Sequence, residues 1–141
     1  MTALTHTIDP DALSSLALAF MGDAVLEVYV RRAAIASGAA KINNLHHITV
    51  GYVSAKAQAD FLRQLVDSDR LTEAERAIVR RGRNAKAHAA PRHTDVQTYN
   101  YSTGFEALIG YLHFSGQAER LDEIMAFMFV RHPMKEGDGN E

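Results

Sequence analysis

The 141-residue sequence contains no cysteine. That excludes disulfides, thiolate zinc sites, iron–sulfur clusters and a cysteine nucleophile, and a cytoplasmic location is the expectation it fits. No apolar run approaches the roughly 18 residues that a membrane-spanning helix needs. The first residues, Met1-Thr2-Ala3-Leu4-Thr5-His6, carry no basic region ahead of an apolar stretch, so no secretory signal is expected. No segment alternates apolar and polar residues cleanly enough to propose a strand. What is present is 47% apolar and 23% charged, the balance of a globular chain rather than a disordered one, at a length that suits one domain.

The formal charge is only −2, from 15 basic and 17 acidic residues, and taken whole it argues against a nucleic-acid partner. The distribution reverses that reading. Between Arg76 and His93 stand Arg76, Arg80, Arg81, Arg83, Lys86 and Arg92 with no acid among them. The rest of the chain then holds 9 basic residues against 17 acidic, a net of −8. Solvated helix faces usually interleave acids for pairing four residues on, and this one does not, so a polyanion-binding surface is favoured.

The periodicity is helical throughout, and an all-α domain over residues 11–132 is expected, between an N-terminal extension (1–10) and a disordered tail (133–141). Asp9-Pro10-Asp11 signals a start, and a first long helix runs from about 11–15 to Ser37, with Gly38 as its C-terminal cap. A shorter piece covers Leu45–Val50, and Ser54 opens a third segment carrying Ala55, Ala59, Leu62 and Val66. Thr72-Glu73-Ala74-Glu75 is a capping box for a helix ending near Asn84. A further helix is expected from Ser102 or Thr103 to Phe114, ended by Gly116, and a last one from Gln117 to Arg131. Over residues 85–101 the periodicity is weak, and a loop of unusual length is expected, the kind that is generally functional or disordered.

Two carboxylates stand in apolar surroundings. Leu16 to Gly22 has no polar side chain, and a helix apolar on all sides is normally buried on all sides. Asp23 follows. Either it lies mid-helix and needs a partner or a metal, or the helix breaks at Gly22 and Asp23 caps a second one. Glu27, one turn on, can face the same side or pair with Arg31. Glu106 also has two readings: Thr103-Gly104-Phe105-Glu106 fits a capping box, and alternatively Glu106 is the second carboxylate of a Mg²⁺ site. His46 and His47 diverge on a helix, His88 and His93 fall in the basic stretch where they can hydrogen-bond phosphate, and His6, His113 and His132 are expected at the surface or in satisfied packing, so no zinc site is expected.

In order along the chain, Leu18-Ala19-Phe20-Met21-Gly22-Asp23-Ala24-Val25 resembles the first-helix motif of the ribonuclease III catalytic domain, and Glu106-Ala107-Leu108-Ile109-Gly110 resembles its second acidic motif. Val53-Ser54-Ala55-Lys56-Ala57-Gln58-Ala59, Arg80-Arg81-Gly82-Arg83-Asn84-Ala85-Lys86 and Ser102 to Tyr111 are similar to the Mini-III subgroup, which lacks a double-stranded-RNA-binding domain. The likeness covers about Leu13 to Arg131. It implies an all-helical homodimeric endoribonuclease that cleaves double-stranded RNA with Mg²⁺, or with Mn²⁺ in its place. Asp23 and Glu106 are then the metal-binding catalytic acids. Arg81, Arg83, Asn84, Lys86 and Arg92 are expected to contact RNA, and relatives point to large-subunit ribosomal RNA precursor as substrate. The wider family pattern has acids where this chain has Leu16, Ala19 and Thr103, so one well-held ion per site is expected. The competing readings are a duplex-RNA-binding dimer without catalysis, in which Glu106 is only a cap, and a helical module that binds an acidic protein.

Overall fold

In a computed structural model describing residues 7–85 and 94–134, the chain forms six α-helices, four of which pack on a central one. They are α1 (Ser15–Ala36), α2 (Ile42–Val53), α3 (Ala55–Asp67), α4 (Glu73–Asn84), α5 (Val96–Phe114) and α6 (Ala118–Arg131). A single 3₁₀ turn, Pro10–Ala12, precedes them, and there is no strand among the described residues.

Most helix ends follow from local chemistry. The Ser14 hydroxyl accepts from the Ala17 N–H at 3.1 Å and starts α1, while Gly38 beyond its end takes a φ of +97°. Ser54 both ends α2 and caps α3, accepting from the Ala57 N–H at 3.2 Å. Thr72 and Glu75 form the expected reciprocal box, with bonds of 3.1 and 2.9 Å. Glu75 is buried and accepts from Nε and Nη2 of Arg120 of α6, at 2.8 and 2.7 Å, so the same residue joins α4 to α6.

Two helices begin earlier than the sequence predicts. α2 starts at Ile42 rather than Leu45, with no side-chain cap at Lys41 to mark the position. α5 starts at Val96, because Asp95 accepts from both the N–H and the hydroxyl of Thr98, at 2.8 and 2.9 Å. Tyr99, Asn100 and Tyr101 are therefore helical, so the part of the expected 85–101 loop from 96 onward is helix instead. The expectation for residues 86–93 lies outside the described residues, as do 1–6 and the residues from 135 on.

The central element is α5. It packs against α1, α3, α4 and α6 and buries Ser102 to Phe105, Ala107 to Gly110 and Leu112. Phe105, Leu108, Ile109 and Leu112 meet Leu26 and Val30 of α1, Phe61 and Leu62 of α3, and Ile124, Met125 and Met128 of α6 in the main core. Burial of these side chains is the chief stabilising contribution, each worth about 1.5–3 kcal/mol. A smaller cluster of Leu18, Ala19, Ile78 and Ala107 seals the α1–α4–α5 junction.

Candidate active site

The site is created by the crossing of α1 and α5. A β-carbon on Gly22 would stand 1.8 Å from the Glu106 carbonyl oxygen, and one on Gly110 would stand 1.9 Å from that of Leu18. The two helices are thus in backbone contact at a reciprocal pair of glycines, a distance that no larger residue permits. α1 runs unbroken through Gly22, so Asp23 is a mid-helix residue and not a cap. The crossing sets Asp23, next to Gly22, beside Glu106, whose own carbonyl rests on Gly22.

The capping-box reading of Glu106 is overturned. With α5 starting at Val96, Glu106 lies in the helix interior, and the Thr103 hydroxyl donates instead to the Tyr99 carbonyl at 3.1 Å. The Glu106 carboxyl is half-buried, within hydrogen-bond reach of Asp23, and accepts from the Gln58 side-chain amide at 3.1 Å. Burial above all, and then the charge and hydrogen bond of Asp23, raise its pKa to about 8, against the opposing pull of Gln58. Burial beside a second carboxyl thus favours the protonated form of Glu106, which a cation at the site would oppose.

That donor set fits a hard divalent ion. Magnesium commonly takes one or two protein carboxylates and completes its shell with water and phosphate oxygens. Among the described residues no third His, Asp or Glu gathers into a metal-binding group, in keeping with the acids missing at Leu16, Ala19 and Thr103. Asp23 is exposed, so the pair opens to solvent on one side. Glu27 does not join it: its carboxylate accepts from the Arg31 guanidinium at 2.7 Å.

The expectation that the apolar first helix is buried on all sides fails. Leu16, Phe20 and Val28 are exposed, Phe20 to 82%, and with exposed Ala24 they recur every fourth residue along one side of α1.

The basic segment occupies α4 and the stretch of chain just beyond its end. Arg81 and Asn84 are exposed, and Arg81 forms no ion pair among the described residues. Arg76 pairs with Asp69. Arg83 is less free than the sequence implies. Its aliphatic stem lies over Gly104, where a β-carbon would come within 2.9 Å of Cγ, and its guanidinium sits 4.1 Å from the Tyr101 ring centroid. Lys86 and Arg92 lie outside the described residues.

Sequence reasoning missed three residues. Gln58 reaches Glu106 from α3, and Arg63 of α3 shares the Tyr101 ring with Arg83, at 4.6 Å from its centroid. Only the motif around Gln58 gave any signal; Arg63 and Tyr101 had none.

Residues 16–117 match the model of the ribonuclease III domain family. Curated relatives include the Mini-ribonuclease 3 of Enterococcus faecalis, 44% identical over 133 residues, which span 94% of this chain and 98% of that protein. The Mini-ribonuclease 3 of Symbiobacterium thermophilum is 49% identical over 117 residues, 83% of this chain and 88% of that one. An X-ray crystal structure of a protein from Fusobacterium nucleatum superposes with a TM-score of 0.76 at 28% identity, covering 85% of this chain and 94% of the other.

Proposed function

Since the chain belongs to the ribonuclease III family, as an endoribonuclease similar to the Mini-ribonuclease 3 proteins, we propose that it hydrolyses double-stranded RNA with Mg²⁺ held by Asp23 and Glu106. The observation that carries this reading is the paired carboxyl site at the α1–α5 crossing.

Asp23 and Glu106 would hold the Mg²⁺, which would supply an acidified water and charge neutralisation for in-line hydrolysis of the phosphodiester to 5′-phosphate and 3′-hydroxyl ends. The chain's own residues do the rest. The backbone contact at Gly22 and Gly110 fixes the separation of the two acids. Gln58 holds one oxygen of Glu106. Asp23 is exposed, which leaves the pair open to a phosphate from solvent.

Duplex RNA is recognised through phosphates, 2′-hydroxyls and shape, which a domain without an appended RNA-binding module must meet with its own cations. Arg81, Arg83 and Asn84 on α4, continued by Lys86 and Arg92, supply that surface. The apolar stripe of Leu16, Phe20, Ala24 and Val28 on α1 supports a homodimer, since such a patch on a two-fold axis meets its own copy. Two sites then cut the two strands separately. No helix among the described residues is long and apolar enough to cross a membrane. The same reading takes the enzyme as cytoplasmic and its substrate as ribosomal RNA precursor of the large subunit.

The test is cleavage of an end-labelled RNA duplex with and without Mg²⁺, alongside Asp23→Asn. Cleavage by the native chain alone, dependent on Mg²⁺ and leaving 5′-phosphates, is the expected result. Full activity in Asp23→Asn would remove the site, and duplex binding without cleavage at any Mg²⁺ or Mn²⁺ level would reduce the chain to a binding protein.

A further inference from the structure

Gln58 is a polar side chain where the core has little use for one. It lies in the first turn of α3, is 2% exposed, and sits between the apolar residues Ala57, Ala59, Phe61 and Leu62 that face the same interior. Its amide nitrogen donates both hydrogens, to the Val53 carbonyl at 2.9 Å and to Glu106 Oε2 at 3.1 Å. Its Oε1 is buried with no hydrogen-bond partner among the described residues.

Rotating the amide does not remove the orphan. The Val53 carbonyl can only accept, so turning Oε1 toward it would set acceptor against acceptor even where Glu106 carries its proton, and would put Nε2 in the unpartnered place. A buried carbonyl oxygen left unpaired forfeits its hydration with nothing in return. A leucine or methionine of similar volume would fill the same space without that cost, and neither stands here. The cost is accounted for if the amide serves the carboxyl group it touches and if its free oxygen finds its partner only when the site is filled.

We propose that Gln58 is a positioning residue for the metal site: its Nε2 fixes Glu106 Oε2, leaving the other carboxyl oxygen for the cation, while its Oε1 accepts from a water of the cation's hydration shell. The proposal rests on Glu106 as a metal-binding residue. It makes α3 a third wall of the site, reached across a sequence separation of 48 residues. Partners of this kind around a metal ligand typically alter metal affinity or activity by about 10- to 100-fold when removed.

The experiment compares the full chain with Gln58→Met, which keeps the volume and deletes both amide functions. Three quantities are read: calorimetric affinity for Mn²⁺ and for Mg²⁺ alone, the half-saturating Mg²⁺ in duplex cleavage, and the thermal midpoint without metal. The expected result is a midpoint equal to or above that of the native chain together with metal binding weakened about tenfold or more. Unchanged metal affinity with a lowered midpoint would overturn the proposal and leave Gln58 a packing residue.

A second measurement needs no variant to fold. The side-chain amide resonances of Gln58 in the native chain should shift as Mg²⁺ is added and should stay put in Asp23→Asn. Resonances that ignore a bound metal in the native chain would equally overturn the role. If the native chain binds neither Mg²⁺ nor Mn²⁺, the metal reading of Glu106 fails instead.

Discussion

Replacing Gly22 by alanine adds one methyl group at the point where α1 and α5 touch. That carbon would lie 1.8 Å from the Glu106 carbonyl oxygen, 2.7 Å from its carbon and 3.0 Å from the Gly110 nitrogen. A close carbon–oxygen contact settles at about 3.3–3.6 Å, so the helices must part by roughly 1.5 Å. No rotamer change relieves the contact, since every atom met is helical backbone. Overpacking of this kind costs about 1–3 kcal/mol and occasionally more, and the upper end applies here. Against it stands the gain of about 1 kcal/mol in helix propensity from Gly to Ala. The net loss is about 2 kcal/mol, a fall in melting midpoint of about 6 °C or more for a chain of this size. Parting the helices also draws Asp23 from Glu106, so metal-dependent cleavage falls with stability. The assay is thermal and urea unfolding at fixed protein concentration, because any dimer couples the midpoint to concentration. Gly51 is the internal control: it lies inside α2 with nothing within 4 Å of a β-carbon, so Gly51→Ala should be neutral or stabilising. A Gly22→Ala midpoint within about 1 °C of the native value would refute the backbone contact on which the site is built.

Other outcomes rest on the same geometry. The folded chain keeps a proton on Glu106 that the unfolded chain has already lost between pH 4.5 and about 8, so metal-free stability should fall as pH rises through that window. Mg²⁺ competes with that proton, so its calorimetric affinity should climb up to about pH 8 and then level; an affinity flat across this range would count against Glu106 as a ligand. Arg81→Glu should weaken duplex binding and lower the salt slope by about one while leaving the melting midpoint in place. Arg83→Glu should weaken binding as well but also lose about 0.5–1 kcal/mol of stability with its Tyr101 contact, and equal midpoints for the two variants would contradict that contact. Phe20→Asp, at an 82% exposed position, should yield a folded monomer by light scattering, and a persisting dimer would move the interface off α1.

The parts of the fold visible in the sequence are those governed by short-range chemistry. α4 could be read end to end because Thr72 and Glu75 cap it and its apolar residues Ile78 and Val79 gather on one side. α5 was not legible at its start: Tyr99, Asn100 and Tyr101 look like turn residues, and the Asp95 cap that makes them helical stands seven residues before the first expected position. The same error made Thr103 and Glu106 look like a cap. Asp23 was ambiguous for the converse reason, since Gly22 reads as a break and is in fact the contact that lets α5 approach. The exposure of Phe20 contradicts hydropathy alone, because an apolar side chain facing out has the same sequence signature as one facing in. Gln58 could not be found by spacing at all; its meaning lies in a bond to another helix.

The central claim is that Asp23 and Glu106 act as one metal-binding unit. Its most direct test is single-turnover cleavage of an RNA duplex at saturating Mg²⁺ by Asp23→Asn, Glu106→Gln and the double variant. Groups that work as a unit are strongly non-additive, so each single change should cost nearly as much rate as both together. Losses that multiply, or a single variant that retains the native rate, would contradict the account.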